Sequence, residues 1–561
     1  MSRNANSRFA QNPTNLDISR SKFNRDASIK TSMNVGDLVP FYLEEVLPGD
    51  TFQVKTNKVV RFQPMVTAPM DNVYFDTYYF YVPTRLLWKH WKEFNGENTE
   101  SAWIPTTEYS IPQIEAPNGG WSVGTIADYL GLPTGVDGIS VSALPFRGYA
   151  MIVNEWFRDQ NVQLPININT DDTTVTGVNT GNYVTDLQLG GKPFVANKFH
   201  DYFTSTLPGP QKGPDVTVSI SNISAQSPVK TSSDSFDTTG LPAIDFNQVS
   251  TETQRSFTNG NAYQFYLDKT PGGLSSSTYW SDNVLNGDLT VGVTPSNLYA
   301  DINIDSQSLI TINQLRMAFQ IQKFYEKQAR GGSRYREVLK SMFGVTSPDA
   351  RMQIPEYLGG NRVPININSV IQMSSTDATS PQGNVAGQSI TADSHGDFIK
   401  SFTEHGYIFG LCVARYDHTY QQGIPRTFSR KTQFDYYWPV FANIGEQAVL
   451  NKEIFAQGTD EDEEVFGYQE AWADYRYRPD IVTGEMRSAA QNSLDVWHFA
   501  DDYETLPSLS AEWMQEDKSN IDRVLAVTSA VSNQLWCDFF VENECTRPMP
   551  LYSIPGLIDH H

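Results

Sequence analysis

The hydrophobic pattern along the chain is dominated by strand-like alternation. In residues 71–83 (DNVYFDTYYFYVP), two sets of bulky side chains alternate with a period of two, and this enrichment in aromatic and β-branched residues is typical of strands. Because both sets are bulky, we expect this strand to be buried on both faces. Similar runs, each bounded by Pro, Gly, Asn or Asp, predict further strands at residues 52–62, 407–416, 434–440 and 494–499.

Three segments follow a helical period instead. Apolar residues recur at i, i+3, i+4 and i+7 within residues 142–160, where Pro145 suits a first turn. A second helix is predicted over residues 311–329 and ends at Gly331-Gly332, and a third over residues 333–343 ends at Gly344. We expect these helices to pack between strands.

Residues 163–305 break both patterns, because short strand-like pieces alternate there with turns rich in Ser, Thr, Gly and Asn. This composition indicates a large insertion. The predicted organisation is therefore as follows: a basic N-terminal arm at 1–30, a first part of the main domain with helix-bearing loops at 31–160, an insertion at 161–310 with a variable tip at about 211–295, and helices with the remainder of the main domain at 311–561.

Charge is unevenly distributed over these segments. The chain of 561 residues has 41 Lys+Arg against 64 Asp+Glu, a net charge of −23. Residues 161–310 contribute −8 and residues 459–517 contribute −13, whereas residues 1–30 carry +4 and residues 311–345 carry +5. An acidic total thus coexists with two basic segments, and only the surface that faces a polyanion decides whether it can bind one.

The composition also limits the compartment. Three Cys cannot form an even disulfide framework, which fits a reducing cytoplasm. The first fifteen residues lack the apolar core of a secretory signal, and no apolar run approaches the ~20 residues of a membrane span. We expect a folded, acidic, aromatic-rich protein with no membrane span.

Motifs for enzyme chemistry are missing from the sequence. It contains no phosphate-binding GxxxxGK[ST], no GxGxxG after a strand, no HExxH and no GxSxG. Gly331-Gly332-Ser333 lies between two predicted helices, so a helix break is the alternative to a phosphate loop. Cys537 and Cys545 are eight positions apart and Cys412 is remote, which does not fit a zinc site. We therefore predict no cofactor and no metal site.

Carboxylates are abundant enough to raise glycoside hydrolysis, which needs two of them across a cleft. The candidates are Asp501, Asp502 and Glu504, and a run of five acids. This run has three interpretations, namely a solvated loop, a subunit interface or cation site, or a catalytic group. Its residues are Asp460, Glu461, Asp462, Glu463 and Glu464.

Nucleic-acid contact requires cations, often with aromatic residues between them. The two basic segments qualify. An arm that ties neighbouring subunits together is the alternative for the first segment, and an ordinary solvated helix face is the alternative for the second. The predicted nucleic-acid-facing residues are Arg3, Arg8, Arg20, Lys22, Arg25 and Lys30 in the arm, and Lys323, Lys327, Arg330, Arg334 and Arg336 in the second segment.

Long strings of the sequence resemble the major capsid proteins of the Microviridae, small phages with single-stranded DNA, and specifically those of the gokushovirus branch. The resemblance covers nearly the whole chain except the middle of residues 200–300. It is carried by SRSKFNRDASIKTSMNVGDLVPFYLEEVLPGDTFQV, APMDNVYFDTYYFYVPTRLLWKHWKEFNGE, LPFRGYAMIVNEWFRDQN, FYEKQARGGSRYREVLKSMFGVTSPDARMQIPEYLGG, HGYIFGLCVARYDHTYQQGIPR and QEAWADYRYRPDIVTGEMR.

The resemblance implies an all-β-dominated fold, the eight-stranded antiparallel viral jelly roll, with long loops and a few packing helices. It implies a capsid protein that self-assembles in the bacterial cytoplasm into a T = 1 icosahedral virion shell around circular single-stranded DNA. The implied partners are further copies of the chain, the DNA genome and a small basic internal DNA-binding protein. The insertion would project at the threefold axes, and from its composition we expect it to contact a host receptor. No catalytic residue is implied, so we predict a protein that is not an enzyme.

Two functions therefore stand against each other. In the first, a shell protein buries aromatic surfaces between copies, such as those near Trp88, Trp91, Trp103 and Trp472, although interior packing is the alternative for these side chains. In the second, the chain is a carbohydrate-binding or carbohydrate-cleaving β-sandwich protein.

Overall fold

A computed structural model describes residues 19–100, 107–216, 312–374, 376 and 381–552, together with five short strands between residues 229 and 300. The chain divides into two compact units. The first contains Met1–Pro214 and Phe324–His561, and the second is Asp215–Lys323.

Strands supply most of the regular structure. In chain order they are β1 (Ser21–Asn24), β2 (Ala27–Met33), β3 (Val39–Val46), β4 (Thr51–Phe62), β5 (Val73–Pro83), β6 (Gln113–Glu115), β7 (Ser140–Ser142), β8 (Val175–Thr176), β9 (Val229–Thr231), β10 (Ile244–Gln248), β11 (Gln254–Phe257), β12 (Val293–Pro295), β13 (Leu298–Ala300), β14 (Glu356–Pro364), β15 (Ile367–Ile371), β16 (Val385–Ser389), β17 (Thr391–Ser401), β18 (Gly406–Tyr416), β19 (Glu446–Leu450), β20 (Val465–Glu470) and β21 (Leu535–Arg547).

The helices are mostly short. They are α1 (Thr84–Leu87), α2 (Trp91–Phe94), α3 (Ile126–Tyr129), α4 (Leu144–Ile152), α5 (Ile312–Gly331), α6 (Tyr335–Val338), α7 (Asp349–Met352), α8 (Asn451–Ile454), α9 (Ala511–Met514) and α10 (Ser519–Asp522). Single π-helical turns at Val153–Phe157 and Leu339–Phe343 continue α4 and α6.

Two antiparallel sheets form the main sandwich. Sheet one has the order β2-β21-β4-β17, with β1 pairing alongside β2 on β21. Sheet two has the order β3-β18-β5-β14. From β2 to β5 and from β14 to β21, the strands of the sandwich alternate between the two sheets, while β5 and β14 are paired neighbours within sheet two. Most neighbours in space are therefore remote in sequence. This is the connectivity of a jelly roll, and it confirms the predicted fold class.

The core between the sheets is built from the inward half of each alternating strand. The residues of β21 alternate between buried and accessible along its length, because successive side chains of a strand point to opposite faces. Its Phe539 stacks on Phe41 of sheet two, with ring centroids 4.3 Å apart, and lies 6.1 Å from the ring of Phe75. The large rings that alternate along these strands therefore join the two sheets.

Sheet two is buried on its other face as well. Helix α4 and the loops around it place Trp88, Trp121, Phe146 and Tyr149 in a second core with Phe409 of β18. This explains why β5 carries bulky residues on both sides, and the predicted two-sided burial of residues 71–83 is confirmed.

The predicted helices are all present, but one of them does not pack as expected. Helix α5 ends at Gly331, after which Gly332 has a left-handed φ of 89°, and Gly344 ends the third helical segment with a φ of 70°. The predicted apolar side of α5, however, is exposed, and Phe319 keeps 62% of its surface accessible. The expectation that α5 is a packing helix is therefore wrong for this side of it.

Two predicted strands are wrong. Residues 434–440 form 3-10 turns at Gln433–Asp435 and Pro439–Phe441, because Asp435 caps the first turn by accepting from the Thr432 amide and Pro439 starts the second. Residues 494–499 contain a further turn at Asp495–Trp497. The apolar side chains of both segments follow a period of two, but both segments form 3-10 turns and pair with no strand of the described sheets.

The compact second unit differs from the predicted insertion at both ends, since it begins at residue 215 instead of 161 and ends at 323 instead of 310. Residues 161–214 belong to the first unit because Ile166 and Phe194 are buried in its second core. The sequence boundary followed a change in composition, which does not reveal these few anchoring side chains.

Two smaller expectations concern cysteines and membranes. Cys412, Cys537 and Cys545 are all buried and unpaired with one another. Among the helices that the structure describes, none is long and apolar enough to cross a membrane.

Candidate nucleic-acid interface and exposed aromatic surface

The outer face of sheet one is formed by the side chains of β1, β2, β4, β17 and β21 that point away from the sandwich core. On the central strand β21, Trp536 keeps 45% and Phe540 42% of their surface accessible. In the register, Trp536 lies opposite Arg61 of β4, and Phe540 lies opposite Asn57. Exposed rings thus stand on this face beside cationic and polar side chains.

The predicted basic arm is part of this sheet from residue 21 onwards. Lys22 Nζ lies 2.6 Å from Glu544 Oε2, and Lys30 Nζ lies 3.7 Å from Asp538 Oδ1. Arg20 donates to the Gly49 carbonyl and to Thr51 Oγ1. The arm residues 19–30 are therefore attached to the jelly roll, and Arg3 and Arg8 lie outside the described residues.

Arg25 differs from these neighbours because it reaches a buried partner. Its guanidinium lies 2.8 Å from Glu44 Oε1, and the Glu44 side chain is only 7% exposed. Arg547 approaches the same oxygen at 3.6 Å. Arg25 consequently ties the arm to β3 and is less available to a ligand than Lys22 or Lys30.

Two cations of this face were missed from the sequence. Lys55 and Arg61 of β4 point to the same side as Trp536, and Lys55 Nζ lies 3.4 Å from Glu542 Oε1. The alternation of residues 52–62 contained the signal, since it assigns both cations to the solvent side. Together with Arg20, Lys22 and Lys30, they place five cations against three carboxylates, Asp538, Glu542 and Glu544, on this face.

The second predicted basic segment does not join this face and is partly engaged elsewhere. Lys323 and Lys327 lie exposed on α5. Arg330 binds Glu446, whose pKa is raised by burial and lowered in part by this guanidinium. Arg334 donates to the Asn154 carbonyl at 2.7 Å, and Arg336 donates to the Glu155 carbonyl and stacks over Trp156, 4.1 Å from the ring centroid.

The glycine pair at residues 331–332 has a structural role in this arrangement. Gln160 Oε1 accepts from the Ser333 amide at 2.8 Å and from its hydroxyl at 2.8 Å, while Gln160 Nε2 donates to Glu337 at 2.6 Å. The side chain of Gln160 thus connects the turn after α5 to the loop that follows the π-helical turn at Val153–Phe157. The helix-break interpretation of Gly331-Gly332-Ser333 fits this geometry.

The acidic run forms an exposed 3-10 turn, Asp460–Glu463, in which some carboxylates bind locally. Asp462 accepts from the Gln457 and Gly458 amides at 2.9 and 2.7 Å. Lys452 donates to Glu463 at 2.8 Å, and this hydrogen bond lowers the pKa of Glu463. Over the residues that the structure describes, no group of three or more His, Cys, Asp or Glu side chains is placed to hold a metal ion.

A separate surface, which we call the aromatic surface, consists of Phe434, Tyr436, Tyr437, Trp438 and Tyr475. Phe434 and Trp438 are 62% and 51% exposed. Arg430 supports two of these rings. It binds Asp474, and its guanidinium lies 5.4 Å from the centroid of the Tyr436 ring and 4.4 Å from that of the Tyr475 ring. Ordered, exposed aromatic residues around an arginine are typical of protein interfaces.

The tryptophans proposed from the sequence for such a surface are mostly interior. Trp88 and Trp472 are buried in the chain itself, Trp91 is half-buried, and Trp103 lies outside the described residues. The interior alternative is thus the correct one for Trp88 and Trp472. Four of the five residues of the aromatic surface lie instead in residues 434–440, which the period of two had suggested to be a strand.

Of the carboxylates considered for glycoside hydrolysis, Asp501 and Asp502 line one recess of about 320 Å³, but both are engaged in hydrogen bonds within the chain. Asp501 is buried and binds His418, Tyr503 and Asn520. Asp502 accepts from Gln422 at 3.0 Å.

Known proteins that are similar to this chain match it over almost its full length. The model of the family described as "Capsid protein (F protein)" matches residues 10–557. Capsid protein VP1 of Spiroplasma virus 4 is 43% identical, over 96% of this chain and 96% of that protein. Capsid protein VP1 of Bdellovibrio phage phiMH2K is 41% identical and that of Chlamydia phage 1 is 38% identical, each over 98% of this chain and 97% of the relative.

Proposed function

Because the chain belongs to the capsid protein (F protein) family, we propose that its copies close into a T = 1 icosahedral shell around circular single-stranded DNA. Membership of the family establishes that the chain is a capsid protein of the Microviridae type. It is therefore a component of the virion and works as part of an oligomeric shell. The size of the shell, the genome and the orientation of the subunit are the proposal.

The observation that carries the proposal is the difference between the two sheets. Sheet two is covered by a second core, whereas the outer face of sheet one keeps its rings accessible and carries five cations against three carboxylates. On a chain with a net charge of −23, this is a local reversal of sign. A wall one subunit thick needs such a difference, and we propose that sheet one faces the DNA.

The aromatic surface supports the second half of the proposal, the contact between copies. Closed shells bury matching patches of identical subunits, and the centre of such patches is rich in Tyr, Trp, Phe and Arg. Phe434, Tyr436, Tyr437 and Trp438 meet this description and are held in place by the turn around Asp435. We propose that a neighbouring copy covers them.

Two further partners, and the place of assembly, follow from the charge, the insertion and the cysteines. Five cations per subunit, opposed by three carboxylates, neutralise little of a packaged polyanion, which supports a small basic protein inside the shell. The low charge and turn-rich composition of residues 211–295 support exposure and a role in binding a host receptor. We propose assembly in the bacterial cytoplasm, where the unpaired thiols stay reduced.

We also propose that the chain acts structurally and not as an enzyme. Its relatives bear the name of a capsid protein, and Asp501, the most enclosed of the carboxylates considered, is occupied by an ion pair with His418.

Electron microscopy of the purified full-length protein or virus tests the proposal directly. We expect icosahedral particles that protect DNA from nuclease, and this DNA should become sensitive to a single-strand-specific nuclease after extraction. A persistent monomer that cleaves glycans would support the carbohydrate function instead. Particles whose enclosed density touches sheet two would overturn the orientation while leaving the shell intact.

A further inference from the structure

A shallow recess lies beside Phe540 on the outer face of sheet one. Its volume is about 430 Å³, and its lining includes Ser28, Val59, Ala392, Ser394 and Phe540. We propose that this recess binds an unstacked base of single-stranded DNA, with Phe540 as the stacking ring. The inference rests on the proposed function, because it names the place at which the enclosed genome would touch the wall.

The strand register explains why a recess forms at this position. Phe540 lies opposite Ser28 of β2 and Asn57 of β4, and Asn57 lies opposite Ser394 of β17. One large ring therefore stands in a row of small side chains. In the next row, Val59 lies opposite Ala392, which gives the recess an apolar floor.

The polar groups at the rim are already engaged with one another. Asn57 Oδ1 accepts from the Ser394 hydroxyl at 2.6 Å, and Asn57 Nδ2 donates to Glu542 at 2.6 Å. The recess thus offers a flat ring and an apolar floor, with little hydrogen-bonding capacity to select one base. Stacking of this kind tolerates any sequence, because every base has a π face, and a shell that encloses a whole genome needs this tolerance.

The charges around the recess favour a strand that lies along the sheet. Both carboxylates of the lining are paired with cations, Asp538 with Lys30 at 3.7 Å and Asp393 with Lys58 at 3.2 Å, so their repulsion of phosphate is weakened. Arg61 and Trp536 lie opposite each other further along β4 and β21. They offer a cation and a second aromatic ring to the same DNA strand. The bases of a duplex are stacked inside it and cannot enter such a recess, so single strands should bind in preference to duplex.

Two variants of the full-length protein test the recess. Phe540→Ser removes the ring, and Ala392→Leu fills the floor while Phe540 stays in place. Each should weaken the binding of a fluorescent oligothymidylate about tenfold, measured by anisotropy, which is within the range found for the loss of one stacked base. Ile399→Ser is the matched control, because Ile399 is an exposed apolar residue on the same sheet but does not line the recess.

Photo-crosslinking of virions grown with bromodeoxyuridine locates the contact in the assembled particle. We expect crosslinked peptides from β4 and β21. The recess is refuted if both variants bind like wild type, if duplex binds as tightly as single strands, or if DNA-filled virions give crosslinks only elsewhere. Virions without nuclease-protected DNA would instead refute the proposed function, so the two failures are distinguishable.

Discussion

His418 and Asp501 form an ion pair in the interior of the first unit. His418 Nδ1 lies 2.9 Å from Asp501 Oδ1, and both side chains are almost fully buried. The other ring nitrogen, Nε2, lies 2.8 Å from Glu516 Oε1. Each ring nitrogen thus faces a carboxylate oxygen. Because Asp501 and Glu516 together raise the pKa of His418, both nitrogens donate and the imidazole is positively charged in the folded protein near neutral pH.

This geometry predicts that stability falls in mildly alkaline solution. Burial lowers the pKa of His418, but Asp501 and Glu516 outweigh burial and Lys198, and they raise the pKa to about 9. A group with a raised pKa in the folded state stabilises fully below its unfolded value of about 6.5, and this contribution is lost as the pH rises through 9. The loss should be roughly 3 kcal/mol between pH 6.5 and 9.5, measured as the free energy of unfolding of the full-length chain.

The control is His418→Gln, which should be destabilised at every pH, because it removes the cation between Glu516 and Asp501 and leaves Asp501 with Lys198 at 3.5 Å. This variant should also lose the decline between pH 6.5 and 9.5. His200→Gln is the matched surface change, because His200 is exposed. A wild-type stability that stays level up to pH 9.5 would contradict the charged state of His418.

A second prediction concerns the contact between α4 and sheet two. Gly→Ala inside a helix normally stabilises by about 1 kcal/mol, but a Cβ on Gly148 would lie 2.6 Å from Cζ of Phe409. Gly148 is buried and Phe409 belongs to the second core, so the ring cannot move away freely. We therefore expect Gly148→Ala to destabilise the chain by about 1–3 kcal/mol, measured by thermal unfolding.

The double variant Gly148→Ala with Phe409→Leu isolates this contact. Shortening the side chain at 409 makes room for the added methyl group, so the two changes together should cost less than the sum of the single changes. If the destabilisation of the double variant equals the sum of the two single variants, the contact between residue 148 and Phe409 is not the cause of the lost stability.

The sequence predicted the parts of the fold that depend on local periodicity. Residues 71–83 and 407–416 carry bulky groups on both faces, and β5 and β18 are indeed buried on both. The same period misled in residues 434–440, where Pro439 and the cap at Asp435 stop a strand. Pairing of β2 with β21 joins residues about five hundred positions apart, and periodicity gives no information on such partners. The jelly roll followed from the resemblance.

The candidate surfaces were predicted in part for the same reason. Lys22 and Lys30 do lie on an exposed sheet face, and Lys55 and Arg61 could have been added from the alternation of their strand. Asp501 and Glu516 follow His418 by 83 and 98 positions in the sequence, so only the folded chain brings them together. Exposed aromatic residues such as Trp438 resemble core residues in composition, and only their accessibility distinguishes them.

Assembly should depend on the aromatic surface. Phe434→Ser and Trp438→Ser remove exposed rings, so they should leave the thermal stability of the subunit nearly unchanged. Because rings at the centre of an interface can each contribute 2 kcal/mol or more, we expect particles to be lost in favour of free subunits in sedimentation. Val123→Ser, at another exposed apolar residue, should assemble normally. Particle yields that are unaffected by both ring variants would exclude this surface from subunit contacts.

The insertion should be dispensable for assembly and required for host adsorption. Replacing residues 217–295 with a short Gly/Ser linker keeps Lys212, whose Nζ donates to Asn161 Oδ1 at 2.9 Å, so the first unit should retain its fold. We expect particles that form but adsorb poorly to host cells, measured as virions bound per cell. Normal adsorption by these particles would contradict the proposed role in receptor binding.

The cations of sheet one should divide into two classes when they are neutralised. Arg61→Gln removes a charge on the outer face, so it should weaken oligonucleotide binding and lower the salt slope of that binding by about one. Arg25→Gln instead removes the nearer of the two cations of the buried Glu44 and leaves Arg547 at 3.6 Å, so it should lower subunit stability at every salt concentration. Neutralising Arg20, Lys22 and Arg25 together should then combine salt-dependent loss of packaged DNA with a salt-independent loss of stability. If Arg61→Gln leaves the salt slope unchanged, Arg61 does not contact phosphate. If the triple variant also packages DNA normally at every salt concentration, the arm serves only to hold the protein together.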